Sequence, residues 1–104
     1  MNDNQIKLEE AQKWAENWRN KQPDVVKAFL IPKEDIIVLY ESITLNGAQD
    51  VRGYLGIRET GEYKMMFVAV DTKGNDRIDL GIYDLTQPCP NFCDLESPLY
   101  DLKK

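Results

Sequence analysis

The sequence predicts an α+β domain, with two helices on one face of a mainly antiparallel sheet of about four strands, in the order αβαβββ, and an irregular C-terminal tail. Three observations predict it. An amphipathic 3.6-residue period opens the chain, short alternating apolar runs separated by Gly-containing turns fill its middle, and Pro88, Pro90 and Pro98 interrupt any regular pattern at its end. A chain of 104 residues is one domain's worth, here 1–104 with the tail 85–104 packed on it. It is long enough to bury a layered core without obligatory cross-links.

Residues Asn4 to Asn20 read as the first helix. Leu8, Ala11, Ala15 and Trp18 recur at helical spacing, with Trp14 beside them. Asp3 or Asn4 can cap the start, and Glu9, Glu10, Lys13, Glu16, Asn17 and Arg19 form the wet face. Pro23 ends the helix by disfavouring helical backbone in the residue before it. Val25 to Ile31 is the first strand. Pro32 stops it and opens a second helix from Lys33 to about Ser42, with Glu34 and Asp35 near its positive end. Ile36, Tyr40 and Ile43 share one face of that helix, although the β-branched run Ile36-Ile37-Val38 also suits a strand. Asn46-Gly47 marks the exit.

Val51 to Arg58 alternates, with Val51, Gly53, Leu55 and Ile57 on one side and Arg52, Tyr54 and Arg58 on the other. Glu59-Thr60-Gly61-Glu62 has hairpin length. Tyr63 to Asp71 is apolar on both sides and therefore belongs at the centre of the sheet. Lys73 to Asp76 is a turn, and Ile78 to Tyr83 alternates as a half-exposed strand. Beyond Asp84 the tail offers Leu95, Leu99, Tyr100 and Leu102 as anchors to the domain.

Composition excludes more functions than it suggests. The net charge of −5, from 18 acidic and 13 basic residues with the cations scattered, argues against nucleic acid. The apolar run Ile36 to Tyr40 is far too short for a membrane span. The polar start lacks the basic and apolar regions of a secretory signal, so the expected compartment is the cytoplasm, with thiols reduced. The chain contains no histidine, which removes Ser–His–Asp, Cys–His and zinc-peptidase chemistry. A carboxylate pair remains conceivable, and Asp71, Asp76 and Asp79 come nearest to a cluster. Their spacing departs from a calcium loop, and the simple reading is a solvated turn. No cofactor is expected.

The two cysteines, Cys89 and Cys93, lie in Pro88-Cys89-Pro90-Asn91-Phe92-Cys93-Asp94. Three readings stay open: reduced part-buried thiols, a local disulfide, or half of a zinc site completed either by a second chain's pair or by Asp94 and Glu96. A thioredoxin-like role fits poorly, because the spacing is one residue too long and prolines replace the helix start. A further candidate is an apolar patch on the second face of the sheet, formed by Tyr54, Met66, Val68, Val70 and Tyr83, which would suit a protein partner or a homodimer.

The segments Ala28-Phe29-Leu30-Ile31-Pro32, Val51-Arg52-Gly53-Tyr54-Leu55-Gly56 and Tyr83-Asp84-Leu85-Thr86-Gln87-Pro88-Cys89-Pro90 give the chain a likeness. It resembles small bacterial proteins of unassigned function whose short α+β domain ends in a Pro-Cys-Pro-x-x-Cys tail. The resemblance implies that the cysteine tail belongs to the domain, and it carries over no activity or functional residue. The sequence therefore points to a non-enzymatic binding or regulatory module acting through a sheet face or the tail. A thiol-based clip or inter-chain metal site at Cys89 and Cys93 is the alternative.

Overall fold

The computed structural model describes residues 4–104. Its elements are helix α1 (Leu8–Lys21), strand β1 (Ala28–Leu30), helix α2 (Lys33–Leu45), strands β2 (Asp50–Ile57) and β3 (Tyr63–Val70), a single 3-10 turn (Ile78–Leu80), and strands β4 (Ile82–Tyr83) and β5 (Gln87–Cys89). The fold is α+β. All strand pairs are antiparallel, but the strands divide into a three-stranded sheet ordered β2-β3-β4 and a two-stranded sheet β1-β5.

The fifth strand comes from the tail. Gln87 to Cys89 pairs with Ala28 to Leu30, placing Pro88 opposite Phe29. A proline is tolerated here because β5 has only one ladder neighbour, so its missing N–H faces no second strand. Ile78 to Tyr83 forms a helical turn before its strand because Gly81 takes φ 101° and the amides of Leu80 and Gly81 bond back to Arg77 and Ile78.

Helix α1 starts at Lys7, which supplies no capping side chain; of the two expected caps, Asp3 lies outside the described residues and Asn4 precedes the helix. Glu9 and Glu10 in the first turn and Arg19 and Lys21 in the last complement the helix dipole. No residue of α1 is fully buried. The helix is held by polar bonds: the Trp18 indole N–H donates to Val26 O at 2.8 Å, and Arg19 donates to the carbonyls of Tyr100 and Leu99 at 2.7 Å each. Gln12 donates to Pro98 O at 3.0 Å. These bonds dock the tail, while the expected anchors Leu95 and Leu99 stay exposed.

Helix α2 runs one turn beyond Ser42 and leaves through Asn46 and Gly47, the latter at φ 77°. It rests against β3. Its buried residues are Asp35, Leu39 and Ser42, whereas Ile36, Tyr40 and Ile43 face solvent. The helix is turned this way because Asp35 has a partner outside it, the Leu85 amide, whereas Ser42 is satisfied within the helix by donating to Val38 O. The core is small, comprising Leu39, Ala48, Val68, Ala69, Val70 and Cys89.

Candidate protein-binding surface

Strand β3 is central, and the two outer edges of the β2–β3 hairpin are treated very differently by the rest of the fold. Arg58 N–H bonds to Glu62 O across the hairpin, where Gly61 takes φ 91°. Hydrogen-bonded and non-bonded pairs alternate along an antiparallel ladder. Given the register Gly56↔Lys64, Tyr54↔Met66 and Arg52↔Val68, the even-numbered residues of both strands bond to each other. The odd-numbered residues therefore turn their amides and carbonyls to the outer edges.

On the β3 side that outer edge is sealed one residue at a time. Met65 N–H donates to the Thr86 hydroxyl at 3.2 Å, and the same hydroxyl donates to Met65 O at 2.8 Å. Phe67 pairs with Tyr83, and Ala69 O accepts from Arg77 N–H at 2.7 Å. Thr86 is 1% exposed, and its carbonyl takes a further bond from the Lys64 ammonium at 2.7 Å. A threonine side chain thus substitutes for a strand residue and carries the chain from β4 to β5.

On the β2 side, among the described residues, nothing pairs with the outward groups of Val51, Gly53, Leu55 and Ile57. The edge is eight residues long and has no lysine or proline to blunt it; its charges are Asp50 and Arg52, the latter paired with Asp76. Leu55 is 68% and Ile57 66% exposed. Beside them, Trp18 of α1, Val26 of the connecting loop and Phe29 of β1 line, with Leu55 and Met65, a groove of about 400 Å³; an adjoining hollow of about 400 Å³ shares Trp18, Val26, Phe29 and Leu55 and includes Ile57. No carboxylate lines this groove. Gly53 suits its place because a Cβ would meet Met65 Sδ at 3.2 Å.

The expected patch is not one surface. Register places Tyr54, Met66, Val68 and Val70 on one face, but Tyr83 lies opposite Phe67 and so on the other. Val68 and Val70 are 2% and 3% exposed, because they sit in the central strand that α2 packs against. Only Tyr54 of this set is exposed, and its hydroxyl joins Arg52 in bonding to Asp76. The bare apolar residues are those that the alternation assigned to the opposite face. What could have revealed them is the absence of a second long strand to cover Val51 to Ile57.

The structure joins Cys89 and Cys93 as a disulfide, with α-carbons 4.8 Å apart and no free thiol, where reduced thiols had been the simplest expectation. Cys89 is buried at the end of β5 and Cys93 lies in the following turn. The acidic residues of the 71–79 turn do not converge. Asp71 accepts the amides of Lys73 and Asn75, Asp76 serves Arg52 and Tyr54, and Asp79 pairs with Arg77. The Asn75 and Lys73 amides hold the Asp71 carboxyl below its ordinary value, and the Arg77 guanidinium does the same for Asp79. Among the described residues no group of three or more His, Cys, Asp or Glu is placed to hold a metal ion, and no helix is long and apolar enough to cross a membrane. No protein-family model matches the chain, and no curated protein or solved structure matches it.

Proposed function

We propose that this chain is a non-enzymatic protein-binding module that works through the bare β2 edge and the apolar groove beside it. One observation carries the reading. The chain exposes 7856 Å², whereas a compact monomer of 12.0 kDa exposes about 6,000 Å². The radius of gyration is 15.6 Å, against about 13 Å for a compact domain of this length. The excess of about 1,900 Å² is more than each partner contributes to a standard protein interface. The groove has no carboxylate or histidine, and its titratable lining groups are Lys27, Lys64 and Tyr63; the Lys64 ammonium is already held by the Thr86 carbonyl, which supports a binding role over an acid–base one.

The test is capture from the source cell with tagged wild-type chain and Leu55→Asp side by side. Any protein that depends on Leu55 is identified, purified and titrated against both forms. A partner, foreign or the untagged chain itself, whose affinity falls on the order of tenfold or more with Leu55→Asp supports the reading. Affinities indifferent to Leu55, or no partner at all, refute it.

The disulfide favours a second reading. Cytosolic thiols are kept reduced, and the disulfides found there are usually transient or redox-sensing. In the cytoplasmic setting expected from the sequence, Cys89–Cys93 would act as a clip that holds the tail on α1 when closed. Intact mass with and without reductant, paired with proteolysis of residues 94–104, tests it; a tail equally protected in both states refutes it.

A further inference from the structure

We infer that the partner on the β2 edge is a second copy of this chain, joined by antiparallel β2–β2 pairing with Tyr54 on the two-fold axis. This rests on the binding reading above and names its occupant. Antiparallel self-pairing must bond the outward odd-numbered residues to one another, which restricts the axis to a single residue of the strand.

Three axis positions keep most of the strand paired. With the axis at Leu55, Arg52 would face Arg58 of the second copy twice, with no new carboxylate added to the Asp76 and Glu62 that hold them within each chain. With the axis at Gly53, the overlap shortens and Arg58 passes beyond the strand to face Ala48. With the axis at Tyr54, every residue of β2 has an opposite. Asp50 faces Arg58 of the second copy, Val51 faces Ile57, Gly53 faces Leu55, and the two Tyr54 rings meet in a non-hydrogen-bonded pair, where side chains approach most closely. Both copies contribute the Asp50–Arg58 pair, so at each end of the ladder Asp50 adds a second carboxylate to the Arg58 that Glu62 of its own hairpin already holds.

The ladder would contain about eight inter-chain hydrogen bonds, satisfying every outward group from Val51 to Ile57. It turns two three-stranded sheets into one continuous sheet and places the two grooves on one face. Leu55 and Ile57, the most exposed residues of the edge, then lie against Gly53 and Val51 of the second copy.

Sedimentation and light scattering on the purified, oxidised chain should report a dimer. Tyr54→Cys should cross-link into a covalent dimer on air oxidation, while Arg52→Cys should not. Leu55→Pro should give a folded monomer, because the Leu55 amide points away from β3 and its loss leaves the β2–β3 ladder intact. Asp50→Arg or Arg58→Asp should weaken the dimer on the order of tenfold, and the double exchange should restore it. A wild-type monomer at every accessible concentration overturns self-pairing, and the capture assay then decides separately whether a foreign protein uses the edge. A dimer that survives Leu55→Pro, or that fails to cross-link through Tyr54→Cys, overturns the β2 geometry. An uncorrected double charge exchange overturns the register.

Discussion

Replacing Thr86 by valine keeps the side chain's shape and removes one hydroxyl. In the native chain that hydroxyl accepts from Met65 N–H at 3.2 Å and donates to Met65 O at 2.8 Å. With Thr86 only 1% exposed, water cannot replace it without opening the join between β3 and the tail. Each buried backbone group left unpaired costs about 1–3 kcal/mol, so the pair costs about 2–6 kcal/mol. A domain of this size has about 5–15 kcal/mol in total. At about 4–8 °C per kcal/mol, the midpoint of thermal unfolding should fall by about 8 °C at the least. Thr86→Ser keeps the hydroxyl and loses one methyl, so it should cost about 1 kcal/mol. Urea unfolding followed by tryptophan fluorescence measures both variants. If Thr86→Val is no worse than Thr86→Ser, the hydroxyl does not stand in for a strand residue and the account of the sealed edge is wrong.

Other substitutions test separate parts of the structure. Cys93→Ser should leave the chain folded and lower its stability by about 2 kcal/mol, the chain-entropy value for so short a loop; circular dichroism showing an unfolded variant would mean that the bond holds the whole fold. Folding lowers the carboxyls of Asp71 and Asp79 below their ordinary value of 3.8. The unfolded chain therefore binds more protons in that range, so this contribution is complete above the ordinary value and is lost as pH falls through the depressed ones. Denaturant midpoints should drop below about pH 4, and Asp71→Asn, which keeps the acceptor but not the titration, should flatten the drop; equal slopes in the two proteins would count against it. Gly81→Ala brings a Cβ to 2.7 Å from the Tyr83 hydroxyl at φ 101°, whereas Gly74→Ala at φ 84° meets nothing within 4 Å. Thermal melts should show only the strain of about 1–2 kcal/mol for Gly74→Ala and a clearly larger loss for Gly81→Ala.

Much of the secondary structure was legible from local pattern. Pro23 and Pro32 bound the first helix and the first strand, Asn46-Gly47 ends α2, and the run from Tyr63 to Val70 announces a central strand by being apolar on both sides. Where the reading failed, the deciding partner was distant in sequence. Ile36, Tyr40 and Ile43 form the obvious apolar stripe of α2, yet the buried side is the one carrying Asp35, whose carboxylate takes the amide of Leu85, fifty positions away. Tyr83 was placed with Tyr54, but the β3–β4 register sets it opposite Phe67 and so on the other face. The tail was read as irregular because of its prolines, and β5 forms there only because β1 is available beside it.

The sequence by itself determined the α+β class, the central position of β3, the absence of histidine chemistry, and the presence of one cysteine pair in a proline-stiffened tail. These follow from composition and from periods of two and 3.6 residues, which act within a few residues of chain. Only the tertiary structure decided that the strands split into two sheets, that Thr86 helps close the outer edge of β3, and that the eight residues of β2 leave the opposite edge of the hairpin open. Edge or centre is a property of which neighbours arrive in space. A strand's outward amides and carbonyls are the same in either position, so nothing local in the sequence distinguishes a ladder that is completed from one still waiting for its partner.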